Sequence, residues 1–131
     1  MIGDKFKQEN FVTHNVARKL KAIGFEEECI AWYDTEGVLQ ISSYEGVSKL
    51  QRKLAPTYTQ LFEWFKINFK ILIHPEFHVN PFGEDFIPES WDYKTHYRNK
   101  FDNNKWWCIT SNNIHFAVGE ALTILKQQEL I

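Results

Sequence analysis

Tyr58, Leu61, Phe62, Phe65 and Phe69 fall at i, i+3, i+4, i+7 and i+11, with Trp64 flanking them. Bulky apolar side chains at that spacing line one stripe of an α-helix, and such a stripe needs a second apolar surface to bury it. The three residues before it read as a helix entry. Pro56 disfavours α geometry at Ala55, and the Thr57 hydroxyl can accept a free amide of the first turn. The pattern therefore predicts a helix over 57–69, with Leu61, Phe62 and Phe65 turned towards a sheet.

Two further helices follow from the same reasoning. Over 13–23, Val16, Ala17, Leu20 and Ile23 recur at helical spacing, Thr13 is the expected N-cap and Gly24 the expected left-handed terminator. Over 113–128 the stripe is Ile114, Ala117, Val118, Ala121, Leu122 and Leu125, with Ser111 or Asn112 as cap. Between the helices lie strand patterns. Cys29 to Tyr33 and Val38 to Ser42 flank the turn Asp34-Thr35-Glu36-Gly37 and read as a hairpin. Residues 43–54 fit either a helical stripe or a long connection. A strand is expected from about Lys70 past Pro75 towards Val79, with the proline confining it to a sheet edge or a kink. Asn80 to Ser90, with Pro81, Gly83 and Pro88, reads as a loop. Strands then follow over 91–98 and 105–110, the second with Trp106 and Cys108 on one face. The fold class is α+β: a small antiparallel sheet packed against about three helices, in a single globular domain over 1–131.

Aromatic content is the compositional oddity. Five Trp, five Tyr and eleven Phe make up 16% of the 131 residues. Large rings fill a small core efficiently, but Trp and Tyr are also favoured where proteins meet. Both readings stay open at this point. Fifteen basic against seventeen acidic residues give a formal charge of -2, which argues against a strongly polybasic nucleic-acid binder. Two cysteines cannot build a disulfide scaffold. No apolar run reaches the length of a membrane span, and residues 1–10 are too polar for a signal peptide. The expectation is a cytoplasmic chain without a membrane partner.

Chemistry is sparse. There is no phosphate-binding glycine loop, no dinucleotide turn, no GxSxG elbow and no HExxH. No catalytic residue, cofactor or cofactor-binding residue is assigned, and the chain is read as non-enzymatic. No metal site is assigned either. Its candidates are His74, Glu76 and His78, which would share one face of a strand if Pro75 leaves the alternation intact; His96 or His115 would improve the shell, but no spacing fixes their proximity. Cys29 and Cys108 sit in apolar strand-like runs and are read as core. Arg18, Lys19, Lys21, Lys49, Arg52 and Lys53 would contact phosphates only if the fold brought them to one face, with Lys66 and Lys70 completing a platform.

The Arg18-Lys19-Leu20-Lys21-Ala22-Ile23-Gly24-Phe25 helix ending, the Cys29-to-Tyr33 strand, and Ala55-Pro56-Thr57 followed by Trp64 and Phe65 resemble a family of small uncharacterised Bacteroidales and phage-encoded α+β proteins. A long C-terminal amphipathic helix completes the resemblance, while Asn80 to Ser90 and the His-containing strand depart from it. The resemblance implies a compact α+β domain and carries no activity or site residue. Together with the aromatic excess it suggests a phage- or mobile-element-related accessory protein that binds a protein partner or a second copy of itself. Nucleic-acid binding is the alternative, and a metal-dependent hydrolase comes last.

Overall fold

A computed structural model describes residues 8–78 and 90–131. The chain has the α+β class expected, with its strands divided between two three-stranded antiparallel sheets. By its internal contacts it divides into two compact units, Met1–Leu61 and Phe62–Ile131.

In the first unit, helix α1 spans His14–Ala22. The Thr13 side chain accepts from the Val16 amide at 3.3 Å, as its position predicted. Gly24, at φ +91°, ends the helix in a left-handed turn in which Phe25 N–H donates to the Leu20 carbonyl at 3.0 Å. Strands β1 (Trp32–Tyr33), β2 (Leu39–Gln40) and β3 (Lys53–Leu54) are two residues each, in the order β2-β1-β3. The expected hairpin is present, shorter than its apolar runs. Its turn is held by Asp34, whose carboxylate accepts from the Glu36 and Val38 amides and from the Gln40 side chain at 2.9–3.0 Å. Those amides and that side chain hold the Asp34 carboxyl below its usual range, Val38 contributing most. Residues 43–52 are mostly irregular, with one short 3-10 turn at Lys49–Gln51, and end in the unanticipated strand β3.

Helix α2 spans Tyr58–Phe69, crossing the boundary between the units, and Thr57 Oγ1 accepts from the Gln60 amide at 3.2 Å. Its buried face is Tyr58, Leu61, Trp64 and Phe65. Phe62 is only half-buried, so the buried stripe is rotated towards Trp64 from the one expected. The reason is area: burying the larger indole removes more apolar surface from water than burying a second phenyl.

The second unit contains strands β4 (Leu72–His78), β5 (Ser90–Asn99) and β6 (Lys105–Ser111), ordered β4-β5-β6, and helix α3 (Ile114–Gln127). The cap of α3 is Asn113, not Ser111 or Asn112: its side chain accepts from the Phe116 amide at 2.9 Å. Ser111 is still the last residue of β6. Helix α3 buries Ala117, Val118, Ala121, Ile124 and Leu125 and packs on β5 and β6, covering Thr95, Tyr97 and Ser111. The expected loop Asn80 to Ser90 lies outside the described residues except at its last position, where Ser90 is instead the first residue of β5, paired with His78.

Candidate functional site

Helix α3 takes one face of the second sheet. The pairing register then dictates what the other face carries, because residues directly opposite share a face. His96 lies opposite Cys108, Lys94 opposite Thr110 and His74, Arg98 opposite Trp106, and Glu76 opposite Asp92. This is the wet face. His74, Glu76, Arg98, Trp106, Cys108 and Thr110 are exposed, and Asp92, Lys94 and His96 are half-buried. Lys94 Nζ donates to Thr110 Oγ1 at 2.8 Å, and the Arg98 guanidinium lies 5.1 Å from the centroid of the Trp106 ring.

Pro75 pairs with Tyr93 in an unbroken register, so His74, Glu76 and His78 belong to one face as expected. They are nevertheless spread along the strand. Same-face neighbours on one strand are about 6.6–6.8 Å apart, and two such steps separate His74 from His78. The His78 side chain lies outside the described residues. The close neighbour of His74 comes from the next strand instead: its Nε2 is 3.0 Å from His96 Nε2. Cys108 Sγ is 4.0 Å from the same His96 nitrogen. Among the described residues, no three His, Cys, Asp or Glu side chains are placed as they stand to hold a metal ion.

The two cysteines part company. Cys29 is buried as expected, and burial pushes its thiol up to about 12. Cys108 is exposed, which corrects its reading as core. Its strand is apolar in composition, but its parity puts it on the face that α3 does not cover.

The edges of this sheet differ as well. β4 carries Pro75, which has no N–H to offer a further strand. β6 carries no proline along its seven residues, and among the described residues no strand pairs with its outer edge. Trp106 and Trp107 project to opposite faces of β6 and are 50% and 45% exposed. Trp107 is fixed by an Nε1–H donated to Asp102 at 2.8 Å. Phe101 is also exposed, in the turn between β5 and β6. Of the other tryptophans with described side chains, Trp64 is buried and Trp32 half-buried.

The first unit gathers part of the predicted basic cluster, but employs it internally. Lys21 donates its ammonium to the carbonyls of Lys49 and Arg52, Arg52 donates to the Val47 carbonyl and lies 4.5 Å from the Tyr44 centroid, and Lys49 pairs with Glu26 at 3.5 Å. These cations clamp the irregular segment 43–52. A groove of about 780 Å³ beside it is lined by Cys29, Ile41, Tyr44 and Arg52 among others. No helix among the described residues is long and apolar enough to cross a membrane. No family model matches the chain, and neither the curated proteins nor the solved structures give a match.

Proposed function

We propose that this chain is a small protein-binding accessory domain that takes up an extended segment of a partner along the outer edge of β6. The observation that carries this reading is the contrast between the two edges of one sheet. Natural sheets blunt exposed edges with proline, charge or shortness. β4 and β6 are equally long, but β4 has its proline, whereas β6 is proline-free, carries its one charge, Lys105, at its first position, and has exposed tryptophans on both faces. An added strand gains affinity from the main-chain ladder and specificity from alternate side chains. Trp106 and Arg98 are residue types that dominate binding energy at protein interfaces. A role of this kind needs no catalytic group.

Display selection of extended peptides against the full chain, followed by titration of the selected peptide, tests the reading. Trp106→Ala and Trp107→Ala should each weaken binding by more than about tenfold, the size typical of an interface hot spot. Leu50→Ala, a change at an 89% exposed residue of the first unit, should leave binding alone. Peptides whose affinity ignores both tryptophans would overturn the proposal. Concentration-dependent self-association abolished by the same two variants would identify the added strand as a second copy. Salt-dependent binding of single-stranded oligonucleotides, lost in Arg98→Ala, would instead move the function to nucleic acid.

A further inference from the structure

We infer that His74 and His96 together form a binding site for one divalent first-row transition ion on the open face of the second sheet. The two Nε2 atoms are 3.0 Å apart, while the ring centroids are 5.1 Å apart and the planes differ by only 10°. The centroid distance exceeds the nitrogen distance by about the two centroid-to-nitrogen distances, so the imidazoles meet end to end, nitrogen to nitrogen, in nearly parallel planes. That arrangement turns both Nε2 atoms towards the space between the rings. Two nitrogens bound at about 2.0–2.1 Å to one tetrahedral ion lie about 3.3 Å apart, so the pair would admit the ion by opening a few tenths of an ångström and turning both rings towards a common point beside the line that joins them.

The surroundings favour the required protonation state. A ligating histidine usually donates its other ring N–H to a carbonyl or carboxylate, which fixes the tautomer. His74 Nδ1 has the Pro75 carbonyl at 3.4 Å, a long contact in the correct sense. In the empty pair one Nε2 donates a hydrogen to the other. When the ion binds, that hydrogen leaves the shared position and each ring carries its hydrogen on Nδ1. The Cys108 sulfur, 4.0 Å from His96 Nε2, is a soft donor beside the pair. A nitrogen and a thiolate sulfur on one tetrahedral zinc lie about 3.6 Å apart. With two imidazoles supplied by the protein and water completing the shell, the site is open, and imidazole donors select zinc, copper or nickel over magnesium or calcium. The inference is independent of the proposed strand capture along β6, which uses the edge of the sheet and not these rings.

Calorimetric titration of the full chain with Zn²⁺ and, separately, Ni²⁺ tests it, with Mg²⁺ as control. One saturable site is expected for the first two and none for Mg²⁺. His74→Ala and His96→Ala should each weaken binding at least as much as the about 10–100-fold lost when a group supporting a metal ligand is removed. His115→Ala, on an exposed residue of α3, should leave it unchanged. His74 is exposed, so its removal leaves the sheet intact and decides the matter even where His96→Ala is unstable. The absence of a saturable site, or binding that His74→Ala leaves unchanged, would overturn the inference.

Discussion

The two sheets of this chain have the same number of strands and are built by different means. In the first, each strand is two residues long, so main-chain pairing alone cannot hold it. Buried side chains and polar clamps do the holding. The Tyr33 hydroxyl donates to the Val12 carbonyl at 2.7 Å, Asp34 closes the hairpin turn, and Lys21 and Arg52 secure the following segment through backbone carbonyls. In the second sheet, uninterrupted registers of seven pairs join β5 to each neighbour, and α3 covers one face. Long ladders plus one covered face hold such a sheet, and among the described residues no strand pairs with the β6 edge. Side chains committed to the fold are poor candidates for function. The region that folds by its ladder is the one with chemistry to spare.

The largest effects should fall on buried side chains. Phe65→Ala, at a residue with no exposed surface, should cost about 3–5 kcal/mol of unfolding free energy, and Leu20→Ala in the first unit about 2–5 kcal/mol. Denaturant midpoints at constant slope would measure both. A Leu20→Ala loss below 1 kcal/mol would break the comparison, because the first unit would then not rest on burial. Thr57→Ala should cost about 1 kcal/mol through the lost cap of α2.

Thr95 offers a change of opposite sign. It is fully buried in the middle of β5, against α3, and among the described residues its hydroxyl has no hydrogen-bond partner. Valine has nearly the same shape without the unsatisfied oxygen, so Thr95→Val should raise stability by about 1 kcal/mol. A loss of stability would mean that the hydroxyl has a partner.

The two thiols sharpen the contrast without mutation. Cys108 should react with a thiol reagent at the rate of an exposed cysteine, and Cys29 only as the first unit opens. Burial raises the Cys29 thiol from 9.0 to about 12, so the folded state holds that proton more tightly than the unfolded chain. Its contribution is complete below pH 9 and is lost as pH rises towards 12, with Tyr33 and Tyr97, also raised by burial, acting in the same sense. Thermal melts across that window should show falling stability, and a flat profile would contradict the burial of Cys29.

The helices were legible because an amphipathic stripe and its caps are written locally: Thr13, Gly24 and Thr57 each do what their positions imply. The long strands were legible through their alternation, and Pro75 correctly placed β4 at an edge. Strand β3 was not legible, since a two-residue strand has no period to detect. Nor was the candidate site. The parity of β6 put Trp106 and Cys108 together, but which face α3 would cover depends on tertiary packing. His74 meets His96 because of a register between strands, and no spacing within one strand encodes that register.

Amide hydrogen exchange along β5 and β6 tests most directly the claim that the β6 edge stands open. Every second amide of β6 should point away from β5 and exchange quickly, while the amides of the central strand β5 stay protected on both sides. Adding a bound partner strand should then slow those β6 amides selectively. Uniform protection along β6 in the isolated chain would show that the edge is already occupied and would contradict the account.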